Sequence, residues 1–200
     1  MIEQLISGIN CGQFQTIILI SPDHFHQVSR QNNWLTDEQG YTLLKKSSLS
    51  SALKDSTQIS DLQTHADHGI TAVNKFLQEK CPTLHILPLV LSQDEKAMTQ
   101  INQLGTQLTY LQNSLLLISS DFSHGQNLDQ TQHNDQLSLQ GLKEGNFNNI
   151  ENDCPACWSF LTGFLGAKPI FQPLNHRNSF DYTNHDHDIT SYITGWFYRR

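Results

Sequence analysis

At 200 residues the chain is long enough for one medium domain with a real core. Its net charge of −7 does not suggest a nucleic-acid partner, which wants a basic face, and no apolar run approaches the roughly 20 residues of a membrane span. The opening MIEQLISGINCGQ shows no basic segment leading into an apolar run, so no secretory signal is read there and a cytoplasmic setting is expected.

TIILIS (16–21) is a β-branched run that ends at Ser-Pro and reads as a buried strand. A polar stretch follows, including SRQNNW and SSLSSALKDS, expected as loop with one short helix near residues 37–46. In THADHGITAVNKFLQEK (64–80), Ile70, Val73, Phe76 and Leu77 recur at helical spacing, with Thr64 or Asp67 as the cap. LHILPLVLS (84–92) is a second core strand, interrupted by Pro88. An amphipathic helix is expected over 94–111 and a third core strand at SLLLISS (114–120). The polar region 126–153 is expected to be helical in parts, without strands. CPACWSFLTGFLGA (154–167) reads as an apolar helix, and 169–176 and 188–198 read as strands. Core strands alternating with helices predict a single-domain α/β fold, with a mixed or parallel sheet flanked by helices.

In such sheets ligands bind beyond the carboxyl ends of the strands. After TIILIS come Asp23, His24 and His26; after SLLLI come Asp121 and His124. The helix start before the second strand offers His65, Asp67 and His68, and a CxxC opens the helix at Cys154. Ten histidines, about twice ordinary usage, raise the expectation of a metal or acid–base site. Imidazole and carboxylate suit Fe(II), Zn(II) and Cu(II), and a thiolate adds affinity for softer ions. Each feature also has a plainer use. Asp121 fits a helix cap equally well. His24 and His26 alternate, so one of them faces solvent. His185 and His187 fit a solvated loop, and Cys157 fits core packing. The CxxC is open between redox, metal and accident, while Cys11 and Cys81 read as isolated thiols. GxSxG, GxxxxGK[ST] and GxGxxG are all missing, which argues against a serine hydrolase of the nucleophile-elbow type, a P-loop enzyme and a Rossmann dehydrogenase.

Taken together and in order, ISPDH (20–24), ADHGIT (66–71), SSDFSHG (119–125), DCPACW (153–158) and ITSYITGWF (189–197) resemble the Memo family, whose bacterial members are called AmmeMemoRadiSam system protein B. The likeness spans nearly the whole chain. It departs from the family at Asp67, where Glu is usual, and at Pro155, where Gly is usual. The family's earlier P-H-A-G-Y segment is not in the sequence, so residues 1–200 are expected to form one Memo-like domain lacking the family's first strand.

The resemblance implies a fold similar to class III extradiol ring-cleaving dioxygenases. It implies His24, His124 and Cys154 as metal ligands. Asp121 is implied as a ligand or as the group that orients an imidazole, and His68 as an acid–base or substrate-contacting residue. The implied cofactor is Fe(II) or Cu, with occupancy in question because one family histidine is missing. Two functions follow from different classes. One is a metal-dependent, dioxygenase-like oxidoreductase. The other is a non-catalytic binding or accessory protein that keeps the fold and pocket, with a small-molecule or peptide ligand and, by family analogy, a radical SAM protein as partner.

Overall fold

TIILISP forms strand β1 (Thr16–Pro22), and all seven of its residues are buried. The computed structural model describes residues 1–46, 56–166 and 168–198. They form two compact units. The larger holds Ile2–Ser119 and Cys154–Phe164; the smaller holds Ser120–Asp153 and Leu165–Arg200, with Met1.

The larger unit carries a five-stranded sheet of order β3-β2-β4-β1-β5. Its other strands are β2 (Trp34–Thr36), β3 (Thr57–Ile59), β4 (His85–Leu91) and β5 (Ser114–Ile118). β1 pairs in parallel with β4 and β5, while β2 runs antiparallel to β4 and parallel to β3. The expected α/β class is therefore observed, as a mixed and mostly parallel sheet with helices packed on it. A central parallel strand is covered on both faces, which is why β1 reads as one apolar run rather than alternating. Ile17, Ile18, Leu19, Ile20, Leu87 and Leu89 are fully buried, each worth roughly 1.5–3 kcal/mol relative to exposure. Pro88 is tolerated because β2 pairs only with Val90 and Leu91, so its missing N–H breaks no ladder bond on that side. Its carbonyl accepts a hydrogen bond from Thr36 Oγ1 at 2.7 Å.

Helices α1 (Ile2–Ser7), α2 (Glu38–Lys46), α3 (Asp61–Ala66), α4 (His68–Lys80) and α5 (Met98–Leu108) complete this part of the chain. The single helix expected over 64–80 is broken at Asp67, whose backbone is extended (φ −66°, ψ 124°). Asp67 ends α3 and caps α4 by accepting the Gly69 N–H at 3.0 Å. Strands β2 and β3 were not expected. At three residues each they are too short to show a period, and they lie in a polar stretch. Most of SSLSSALKDS lies outside the described residues.

Cys11 and Cys81 form a disulfide across 70 residues, with their Cα atoms 5.6 Å apart. This corrects the reading of isolated thiols. The bond ties the turn after α1 to the end of α4, and nothing local in either segment announces it.

In the smaller unit α6 (Leu128–Glu144) fills the polar region. It buries Thr131, Asp135, Ser138, Gly141 and Leu142, a helical stripe made mostly of polar and small residues. That composition hides the period from a hydrophobicity count. The chain returns to the larger unit with α7 (Pro155–Leu165), which touches α5 backbone to backbone. A Cβ at Gly163 would stand 2.0 Å from the Asn102 carbonyl oxygen. The smaller unit then adds β6 (Ile170–Asn178), the short α8 (Phe180–Thr183) and β7 (Ser191–Tyr198). β6 and β7 form an antiparallel pair of their own with a bulge at Pro173–Asn175, and do not join the five-stranded sheet.

Candidate functional site

The carboxyl end of β1 turns sharply. Asp23 donates its N–H to the Leu91 carbonyl at 3.0 Å, and its buried carboxylate accepts the N–H groups of Gln27 and Val28, both at 2.8 Å. This turn directs His24 inward and leaves His26 exposed at φ 54°. His24 meets Asp67, 43 residues away. Its Nδ1 lies 3.0 Å from Asp67 Oδ2 and 3.2 Å from Oδ1. Ser21 Oγ donates to Asp67 Oδ1 at 2.8 Å, on top of the cap bond from Gly69. The Asp67 side chain is 2% exposed and that of His24 is 17% exposed. Gly69 is needed for this approach, since a Cβ there would stand 2.1 Å from Ser21 Oγ.

Burial is the largest single influence on the Asp67 carboxyl and acts to raise its pKa. The hydrogen bonds from His24 and Ser21, the His24 charge and the His24 N–H together outweigh it and hold the group below the usual value. Asp67 is therefore a carboxylate, and it accepts the Nδ1 proton of His24. In its neutral form that imidazole would then carry its lone pair on Nε2. His68, the first residue of α4, lies beside it, with the two ring centroids 3.7 Å apart at 39°. Phe25 meets His68 edge-on at 5.6 Å. The larger unit thus gathers two imidazoles, a buried carboxylate, a hydroxyl and an aromatic edge at the end of a central parallel strand. No protein-family model matches the chain, and no curated protein matches it.

Cys154 belongs to the same unit but is bonded to Cys157, with Cα atoms 5.2 Å apart. In that state the proposed sulfur ligand has no thiolate to offer, which departs from the ligand role expected for it. Its Sγ accepts the Cys157 N–H at 3.2 Å and the Gln93 amide at 3.8 Å. Cys157 is fully buried, in line with its place on the apolar helix.

Asp121 and His124 lie in the smaller unit. Asp121 does not cap the helix that follows it, because Asn127 does so by accepting the Gln130 N–H. Its backbone is locked to Asp153 instead, by reciprocal bonds of 3.0 Å: Asp121 N–H to Asp153 Oδ1, and Asp153 N–H to the Asp121 carbonyl. Partial burial and then the Asp121 charge push the Tyr192 hydroxyl above its usual pKa. His124 is exposed, with Nδ1 2.8 Å from Thr190 Oγ1. His185 and His187 stand in an exposed loop, as their polar surroundings implied.

Two features escape a reading of the sequence. Asp67 was legible as a cap but not as the partner of His24. The second is a wholly buried carboxylate, Asp135 on α6, which accepts from Ser123 Oγ at 2.8 Å, from Ser191 Oγ and from His176 Nε2 at 2.6 Å. Only Ser123, inside SSDFSHG, and Ser191, in the last strand, lay in motifs already singled out.

Proposed function

We propose that this chain is a Memo-like protein whose working centre is the His24–Asp67–His68 cluster, a pocket of the non-haem metal type belonging to a dioxygenase-like oxidoreductase. The observation that carries the reading is the 3.0 Å contact between the buried Asp67 carboxylate and His24 Nδ1. A carboxylate behind an imidazole fixes its tautomer and raises its basicity, which serves a metal ligand and a general base alike. His68 would pass a proton to or from a bound molecule, and Phe25 would give that molecule an apolar contact.

Imidazoles held in this way fit Fe(II), Cu and Zn(II) by donor chemistry. A bound ion would supply Lewis acidity and open positions for substrate. His24 and His68 would hold it, joined by Cys154 once that sulfur is released from Cys157. No described helix is long and apolar enough to cross a membrane.

A second reading, a binding or accessory protein with a small-molecule or peptide ligand, is favoured by a different observation. Among the described residues, no three His, Cys, Asp or Glu side chains gather to hold an ion. The two readings separate on anaerobic loading of the reduced protein with Fe(II), Cu(I) or Zn(II), followed by elemental analysis. About one ion per chain is expected for wild type and none for His24→Ala. If wild type also retains none above background, the metal reading falls and the binding role remains.

A further inference from the structure

Within the larger unit, α4 and the first half of β4 face each other across a cavity. Alternate residues of a strand share a face, so Leu84, Ile86 and Pro88 line it together from β4 and the turn before it. Asn74, Gln78 and Cys81 recur at i, i+4 and i+7, which makes one stripe along α4. One wall is thus apolar and the other mostly polar. The space between them is about 460 Å³, which lies within the range of small-molecule sites. The Cys11–Cys81 disulfide and the bond from the His85 N–H to the Gln15 carbonyl at 3.1 Å fix its edge.

A third wall is acidic. Asp37 Oδ1 accepts the Gly40 N–H at 2.6 Å and Asp61 Oδ1 accepts the Glu38 N–H at 2.8 Å, so both carboxylates are drawn to the first turn of α2. His65 Nε2 stands 3.3 Å from Asp37 Oδ2. No Lys or Arg is among the described residues that line the cavity. Asn74 Oδ1 is buried in the wall without a hydrogen-bond donor. An unpaired buried acceptor is costly, and a donor brought by a ligand would relieve it. Among the described residues no three His, Cys, Asp or Glu gather to hold an ion, so an organic cation suits the two carboxylates better than a metal.

We propose that this cavity binds a small organic amine. Asp37 and Asp61 hold its ammonium or guanidinium group, one of its donors pairs with Asn74 Oδ1, and its hydrocarbon body lies on Leu84, Ile86 and Pro88. Such a cation is rich in donors and has no acceptor on its charged group, which matches a wall of acceptors. The cavity stands at the amino end of β4, whereas His24 follows the carboxyl end of β1. The two strands run parallel, with Thr16 opposite His85 and Pro22 opposite Leu91. Amine binding is therefore separate from the His24 cluster and does not depend on its metal reading.

The test titrates the folded protein by calorimetry with tyramine, with agmatine and with tyrosol, which carries a hydroxyl where tyramine carries its ammonium. At least one of the two cations is expected to bind, and tyramine should bind roughly tenfold or more tightly than tyrosol. In ¹⁵N–¹H spectra the side-chain amide signals of Asn74 and Gln78 should shift with the bound cation. Asp61→Asn keeps an acceptor for the Glu38 N–H and should weaken that cation about tenfold. Asn74→Leu should weaken it with both carboxylates in place, and it carries the test if circular dichroism shows that Asp61→Asn does not fold. Binding of neither cation would overturn the proposal, as would equal affinity for tyramine and tyrosol. Shifts confined to residues outside the cavity would also overturn it. If Mg(II) or Zn(II) moves the two amide signals and neither cation does, the cavity is an ion site and the amine proposal falls.

Discussion

Each unit of the molecule builds a buried aspartate against a histidine, and the two pairs are used differently. Asp135 in the smaller unit is fully buried and accepts from Ser123, Ser191 and His176, which come from the SSDFSHG segment, β7 and β6. It pins three segments to α6, and His176 is one donor among three. Asp67 in the larger unit also accepts from a hydroxyl and an imidazole, but it sits at a strand end and a helix start. A second imidazole stands 3.7 Å from the ring it orients. A carboxylate–imidazole contact alone therefore does not mark a site. What distinguishes the Asp67 pair is the further chemistry gathered around the imidazole.

The strongest way to break this contrast is Asp135→Ala. It leaves two buried hydroxyls and an imidazole without their acceptor, and about 3 kcal/mol of stability should be lost, read from urea unfolding. Metal retention by the folded fraction should not change. If the variant instead keeps its stability and loses metal, the roles of the two pairs are reversed.

Gly69→Ala comes next, at about 1–3 kcal/mol, because the new Cβ displaces Ser21 from the Asp67 carboxylate. Here stability and metal affinity should fall together. A neutral result on both would show that the Ser21 contact is dispensable.

Asp67→Asn is expected to be the mildest for stability, at about 1 kcal/mol, yet to cost roughly 10–100-fold in metal affinity. Because the Asp67 pKa is lowered in the folded chain, its stabilising contribution is full above the ordinary carboxylate value of about 3.9 and fades as pH falls through the lower folded value. The stability gap between wild type and Asp67→Asn should therefore close on acidification below about pH 3.9. A gap that widens toward acid would contradict the assigned charge state.

How much was legible follows the range of each interaction. β1, β4, β5 and α4 were readable because burial writes itself into runs and periods of a few residues. The break of the 64–80 helix at Asp67 was half legible, since an aspartate that caps one helix can also end another. α6 was visible only as helix in parts, because its buried stripe carries Thr131, Asp135 and Ser138 where apolar residues are the usual signal. β2 and β3 gave no signal at three residues each. At the site, His24, His68 and Cys154 were named from their places at strand ends and helix starts. What ties them together was not readable.

The sequence by itself determined the α/β class, the central strand and the residues delivered to its end, because strand burial and helix period depend on near neighbours along the chain. Only the tertiary structure decided which carboxylate orients His24, which serines share Asp135, and which cysteines pair. Those choices join residues 43, 12, 56 and 70 positions apart. Contacts over such separations are selected by how strands and helices pack, and no local pattern records them.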